Sequence, residues 1–342
     1  MRSNTETVVN FPIGAELNRL LDLEASAAEG LEDLFAQSLT GPIGDFFARP
    51  RKNVRNQLVE LGFAIASRSL GRPFDAEILK SSCEILEIFH AGSLVVDDIE
   101  DGSLYRRGEK SLHNLYGIPL ALNAGNWLYF LPFKIIQDMK IDAERKAALA
   151  SECQHTLLRA HYGQALDLGV SVECLAQERV AGVSMAAMEL KAGVLTGLAL
   201  SMGAIALGAS PELTKRLNRF GRKAGIALQM FDDIGNLSSS SNPEKKCEDM
   251  KLKRVGYVFG VASRVLSSED FARLIQLANE LPASCEELLL LLKTNEVPKV
   301  ARDEAETFLR SVWMEMKTEL GLVPNETAII EWLQSCLVRS YE

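Results

Sequence analysis

Between Ala192 and Ala209 (AGVLTGLALSMGAIALGA) the sequence runs for 18 residues without a charged side chain. That length is the lower limit for crossing a bilayer, so the run must be either a membrane span or a helix buried in protein. It carries Gly193, Gly197, Gly203 and Gly208 together with Thr196 and Ser201, and apart from Lys191 at its start no basic or aromatic anchors adjoin it. Small residues let helix backbones approach closely, and the missing anchors argue against an interface. The expectation is a core helix inside a helical bundle, with no membrane span.

The rest of the chain keeps the same period. Apolar residues recur every three to four positions, and no run alternates long enough to propose a sheet. An amphipathic helix is expected over 15–38, followed by a Gly/Pro loop at 40–50. Further helices are expected at about 53–70, 75–99, 119–139, 143–170, 175–208, 211–237, 253–266, 268–282, 297–320 and 326–340. Breaks at Gly71 and Pro73, Gly102 and Gly108, Pro211, Pro243 and Pro324 fit these boundaries. With no internal repeat and no long linker, the 342 residues read as one large all-α domain spanning 1–342, residues 1–14 being flexible.

Charge narrows the function. Thirty-seven Lys and Arg against 46 Asp and Glu leave a net charge of −9. This argues against a nucleic-acid partner bound through a net basic surface. The six cysteines, at 83, 153, 174, 247, 285 and 336, form no CxxC pair. They read as reduced thiols of a cytoplasmic protein. The N-terminus shows no apolar core of signal-peptide type.

Two long apolar helices end in aspartates, Asp97-Asp98-Ile99-Glu100-Asp101 and Asp232-Asp233-Ile234-Gly235-Asn236. Residues four apart share a helix face about 6 Å apart along the axis, so Asp97 and Asp101, or Asp232 and Asn236, can converge on one target. Negative charge at a helix C-terminus is unfavourable by about 0.3–1 kcal/mol per group, so local energetics do not explain these clusters. Carboxylates without Cys or paired His select a hard cation, Mg²⁺ above Zn²⁺, usually shared with waters and substrate phosphates. Basic residues stand close by in sequence. Arg106 and Arg107 follow the first cluster; Lys245, Lys246, Lys251, Lys253 and Arg254 follow the second; Arg49, Arg51, Lys52 and Arg55 precede both. Together they fit a diphosphate bound beside Mg²⁺.

These residues carry a resemblance. The segment FHAGSLVVDDIEDGSLYRRGEKSLHNLYGIPLALNAGNWLYF (residues 89–130) resembles the first aspartate-rich region of the trans-isoprenyl diphosphate synthases. It is most similar to the eukaryotic-type geranylgeranyl diphosphate synthases. PRKNVR at 50–55, HYGQALDL at 161–168, ELKAGVLTGLA at 189–199, LQMFDDIGNL at 228–237 and CEDMKLKR at 247–254 follow the family's motifs in order. The resemblance implies an all-α bundle with a deep central cavity, a homodimer, and three Mg²⁺ ions once substrate is bound. It also implies condensation of isopentenyl diphosphate with an allylic diphosphate.

Residue by residue, the resemblance assigns Asp97, Asp98, Asp101, Asp232 and Asp233 to metal. It assigns Arg106, Lys191, Gln229 and Arg254 to the allylic diphosphate, and Lys52, Arg55, His90 and Arg107 to isopentenyl diphosphate. Taken alone on an apolar helix, His90 reads as a core histidine, and the match of its position, seven residues before Asp97, reverses that. Departures from the family pattern are Arg51, Asn53, Ala192, Asn236 and Gly256. Gly92 and Ser93, five and four residues before Asp97, occupy positions that help set product length in the family. Both are small, and five residues of helix span about 7.5 Å, so nothing bulky there would stop a chain growing past farnesyl. The expected product has twenty carbons, with twenty-five as the alternative. Trp127, Tyr129 or Phe130 could provide a deeper stop or could be ordinary core. A terpene cyclase on the same scaffold and a non-catalytic partner subunit are the rival readings. The first would not need a second diphosphate pocket, and the second would not need both aspartate motifs.

Overall fold

The computed structural model describes residues 30–50, 54–237 and 247–339. Residues 1–14, most of the helix expected over 15–38, Lys52 with its neighbours Arg51 and Asn53, and Lys245 and Lys246 lie outside these. The architecture is all-α, as the period requires. Among the described residues the sole sheet is a pair of two-residue antiparallel strands, β1 (Tyr105–Arg106) and β2 (Glu109–Lys110). The chain falls into two compact units, one comprising residues 1–53 and 83–139, the other 54–82 and 140–342.

In the first unit, α1 (Glu32–Phe35) leads through a π turn (Ala36–Thr40) into α2 (Gly41–Ala48). The loop expected at 40–50 is therefore a helix. Pro42 sits in its first turn, where proline's missing N–H costs nothing. Ile43, Phe46 and Phe47, spaced i, i+3, i+4, are then buried together. Their partners are Ile88, Ala91 and Val95 of α3 (Ala76–Glu100), Leu112 of α4 (Leu112–Tyr116), and Ala121, Ala124 and Leu128 of α5 (Ile118–Asp138). α3 and α5 meet where Gly92 faces Gly125. A Cβ on Gly92 would lie 3.1 Å from both the Gly125 carbonyl and Leu128 Cβ, and one on Gly125 would lie 2.8 Å from Val96 Cγ2.

In the second unit the long uncharged run becomes α6 (Val194–Leu207), buried at every position except Leu195 and Ile205. Length and composition would allow Gln177–Leu207 to cross a membrane, but most of that window is buried in protein. Its small residues explain how. On one side Gly203 lies against Phe63 of α7 (Val54–Leu70), whose own Gly62 lies against the Leu200 backbone. On another, Gly197 abuts Asn218 and Arg222 of α8 (Pro211–Leu237), and Gly221 and Gly225 abut Thr196. Close approach brings the flanking Leu198, Leu200 and Met202 to complete burial, each contributing about 1.5–3 kcal/mol. Gly208, in the left-handed region at φ 74°, ends the helix.

Around this core stand α9 (Ala143–Gly169), α10 (Gln177–Met188), a π turn (Glu189–Gly193), α11 (Tyr257–Val265), α12 (Ser268–Asn279), α13 (Cys285–Thr294), α14 (Val297–Leu320) and α15 (Pro324–Arg339). α13 falls where the sequence pattern assigned no element. It buries only Leu288 and Leu292, one turn apart, within a run of five leucines that shows no amphipathic period. α11 begins later than the expected 253, because 252–256 form a loop.

The packing of α6 sets a test. Gly62→Ala puts a methyl group into the Leu200 backbone and is expected to cost about 1–3 kcal/mol in urea unfolding. Gly182→Ala, at an exposed site on α10 with nothing within 4 Å of its added Cβ, is expected to stabilise by up to about 1 kcal/mol. Equal midpoints for the two variants would refute the close-packing account.

Candidate active site

The first cluster belongs to the first unit. Asp97 and Asp98 lie on the last turn of α3, and Asp101 follows in the turn that closes it, its N–H donating to the Asp97 carbonyl at 2.9 Å. Asp98 is 1 % exposed. A carboxylate so placed needs a partner, because burying an unpaired charge costs several kcal/mol. Arg106 supplies it, with Nε 2.7 Å and Nη2 2.5 Å from Asp98 Oδ1, and Nη2 3.8 Å from Asp97. Burial lowers the Arg106 guanidinium most. Its hydrogen bond to Asp98 and the charges of Asp98, Asp97 and Asp101 together outweigh that and hold it above its usual range.

Arg106 and Arg107 part company because of the hairpin they occupy. Tyr105 pairs with Lys110 and Arg106 with Glu109, leaving Arg107 and Gly108 as a two-residue loop. Both have positive φ, 56° and 84°, as a type I′ turn demands. For Arg107 this backbone costs about 1–3 kcal/mol and persists only where surroundings over-determine it. Its guanidinium lies 4.8 Å from the centre of the Phe46 ring and 3.6 Å from Glu87 Oε1. Arg49 lies 5.6 Å from the same ring. His90 is buried on α3, two turns before Asp97.

The chain-length positions resolve unequally. Gly92 is filled by the α3–α5 contact, which supplies a packing reason for its lack of a side chain. Ser93 is partly buried, its hydroxyl donating to the His90 carbonyl. Of the residues considered as a deeper stop, Trp127 packs against the α2–α5 core, whereas Phe130 is 72 % exposed. Burial, then the charges of Glu100 and Asp97, raises the Tyr129 phenol, which places Tyr129 beside the acidic end of α3.

The second cluster belongs to the second unit, at the end of α8. Asp232 is exposed and Asp233 buried. Asp233 is held on both oxygens, accepting from Gln229 Nε2 at 2.7 Å and from the Tyr257 N–H at 2.6 Å. Burial and the neighbouring charge of Asp249 push its carboxyl well above the usual carboxylate range, and the hydrogen bonds from Tyr257 and Gln229 oppose them. Gly256 makes room for this contact, since a Cβ there would lie 3.1 Å from Asp233 Oδ2. Asn236 donates to Asp249 Oδ2, so a carboxylate from the short helix Glu248–Lys251 stands beside the position where this motif lacks one.

Lys191 and Arg254 converge although 63 residues separate them. Asp167 Oδ2 accepts from Lys191 Nζ at 2.7 Å and from Arg254 Nη1 at 2.9 Å. Lys191 rides on the π turn Glu189–Gly193, a local departure common at functional sites. Gly163 lets that turn approach α9, because a Cβ there would lie 2.5 Å from the Lys191 nitrogen. Arg254 is set by the 252–256 loop. Lys253 takes a positive φ of 56°, and its carbonyl accepts from the Val172 N–H. Arg55 stands in the first turn of α7, in this unit. Sequence spacing does not single out Asp167, Asp249 and Glu87 as site residues, and it offers Arg49 only as one of a basic stretch. Asp167 had a signal, an acid four residues after Gly163 inside the quoted HYGQALDL motif.

Among the described residues no three His, Cys, Asp or Glu side chains converge tightly enough to hold an ion by themselves. Mg²⁺, which takes one or two carboxylates and completes its shell with water and phosphate, fits such a donor set. The first cluster thus pairs hard oxygen ligands with the Arg106 guanidinium, and Arg254 lines a small pocket together with Asp233, Asn236 and Asp249 of the second.

Removal of the Asp167 carboxylate takes one shared acceptor from both Lys191 and Arg254. Asp167→Ala is expected to lower stability by about 2 kcal/mol in urea unfolding, with Asp167→Asn intermediate. An unchanged midpoint for Asp167→Ala would mean that the carboxylate does not hold Lys191 and Arg254.

Comparison with known proteins gives these clusters a context. Residues 36–292 match the family described as polyprenyl synthetase. Copalyl diphosphate synthase from Talaromyces verruculosus is 28% identical over 250 residues, covering 72% of this chain and 24% of that protein. Geranylgeranyl pyrophosphate synthase paxG from Penicillium paxilli is 26% identical over 242 residues, 70% of this chain and 60% of that protein. The chain therefore spans about a quarter and three fifths of these two relatives. A crystal structure of a geranylgeranyl pyrophosphate synthase superposes with a TM-score of 0.76 at 18% identity, covering 90% of this chain and 95% of that one.

Proposed function

The chain belongs to the polyprenyl synthetase family, and from that premise we propose that it is a trans-prenyltransferase that joins isopentenyl diphosphate to an allylic diphosphate, with geranylgeranyl diphosphate as product. The observation that carries this reading is that both aspartate-bearing helix ends are present, each with hydrogen-bonded anchors, Arg106 on the first and Arg254 lining a pocket with the second. Asp97, Asp98, Asp101, Asp232 and Asp233 would hold Mg²⁺, three ions once substrate is bound, whose charge favours departure of the diphosphate. Arg106, Lys191, Gln229 and Arg254 bind the allylic diphosphate, the cations offering donors to oxygens that gain charge as it leaves. Lys52, Arg55, His90 and Arg107 bind the second diphosphate. Apolar side chains exclude water, which would otherwise quench an allylic cation.

Ser93, with its hydroxyl turned to the helix backbone, supports growth past farnesyl. Named relatives that are geranylgeranyl pyrophosphate synthases support the same length. The protein acts as a cytoplasmic homodimer in this reading.

Incubation of the chain with Mg²⁺, farnesyl diphosphate and isopentenyl diphosphate, followed by mass spectrometry, is expected to give the twenty-carbon diphosphate. A product no longer than farnesyl would overturn the length. Conversion of geranylgeranyl diphosphate alone to a hydrocarbon would replace condensation by cyclisation. Asp97→Ala and Asp232→Ala are each expected to lower turnover about a hundredfold or more while far-UV circular dichroism is unchanged. Near-normal turnover in either would remove that residue from the metal set.

A further inference from the structure

Arg49 lies in the stretch of basic residues that sequence alone would offer to a diphosphate, yet its surroundings give it other work. Its side chain is 2% exposed. Nη2 donates to Asp45 Oδ2 at 2.9 Å, Nη1 donates to the Arg106 carbonyl at 3.2 Å, and the guanidinium lies 5.6 Å from the centre of the Phe46 ring. The same ring carries Arg107 at 4.8 Å. Phe46 is completely buried in the first unit's core and cannot shift to follow either arginine.

We infer that Arg49 and Phe46 are positioning residues for Arg107, and this rests on the reading of Arg107 as a ligand of isopentenyl diphosphate. The peptide whose carbonyl Arg49 holds is the one that joins Arg106 to Arg107. That peptide leads directly into the positive φ of Arg107, the backbone state an L-residue adopts reluctantly. Fixing its carbonyl from outside the hairpin selects the I′ turn and separates the two arginines. Arg106 remains on Asp98, held there by two contacts of its own. Arg107 is delivered to the face of Phe46, which orients a cation without consuming any of its N–H donors. Glu87 sets the guanidinium from a second side. Two adjacent arginines thereby serve two different diphosphates, and the device that divides them lies at the C-terminal end of α2, outside the aspartate motif.

The test uses Arg49→Leu, Arg49→Lys and Phe46→Leu in the full chain, with two readouts. The first is steady-state kinetics. Arg49→Leu and Phe46→Leu are expected to raise KM for isopentenyl diphosphate about five- to tenfold, as loss of a partly buried cation–π contact implies. KM for the allylic diphosphate stays within about twofold, since Arg106 keeps Asp98. Lysine retains the charge but has one compact ammonium for two acceptors, so Arg49→Lys recovers only part of the effect. The second readout is amide hydrogen exchange by mass spectrometry. Residues 103–112 are expected to exchange several-fold faster in Arg49→Leu, while 228–237 and 247–256 keep the wild-type rate.

Equal rises in both KM values, full recovery with lysine, or wild-type exchange at 103–112 would each overturn the inference. A wild-type chain that turns over no prenyl substrate would overturn the prenyltransferase reading instead. The exchange of the hairpin in Arg49→Leu would still decide whether Arg49 holds it.

Discussion

Burial of carboxylate is the constraint from which each acidic cluster is organised. Asp98 and Asp233 occupy equivalent places in the two acidic clusters, second of a pair at the end of an apolar helix, and both are buried. Neither could remain so without donors, because an ionised carboxyl taken from water costs far more than the fold's net stability can absorb. The two solutions differ. Asp98 is met by a charge, Arg106, while Asp233 is met by neutral donors, the Gln229 amide and the Tyr257 backbone. One carboxyl is therefore paired as an anion. In the other, burial and Asp249 raise the carboxyl above its usual range, and the hydrogen bonds from Tyr257 and Gln229 oppose them.

Apart from Gln229, one turn before Asp233 on α8, those partners are supplied by irregular backbone. Arg106 arrives on a hairpin whose loop residues have positive φ, and the Tyr257 N–H follows a loop in which Lys253 does the same. Lys191 comes from a π turn. Regular helix alone would place side chains only at spacings of three and four on one face. The departures bring donors from other segments to Asp98, Asp233 and Asp167, and each sits where packing or an external hydrogen bond holds it.

The helices that carry the clusters owe their positions to small residues. Gly92 and Gly125 bring α3 and α5 together in the first unit, and Gly62, Gly197, Gly203, Gly221 and Gly225 bring α7 and α8 against α6 in the second. A buried helix apolar on every face has no amphipathic direction to orient it, so its orientation comes from where backbones can touch. This is also why the uncharged run of 18 residues resembles a membrane span in composition.

Much of this was legible in the sequence. Helical period, the core nature of Ala192–Ala209, and the two acid pairs with their nearby cations follow from local spacing, and so did the boundaries of most long helices. Spacing failed where burial alone decides an element. α2 hides behind Gly and Pro that suit a first helical turn, and α13 lies in an unbroken leucine run with no period to read. Partnership across long separations was also out of reach. Asp167 gathers Lys191 and Arg254, Asp249 stands beside Asn236, and Arg49 turns away from solvent to brace Arg106 and Arg107. Gly92 has its contact with Gly125 only once two helices cross. Sequence determines which chemical groups are available and the helix face on which each lies. Which cation answers which carboxylate is decided by tertiary structure, because charge pairing depends on distance in space, and only the folded chain sets that.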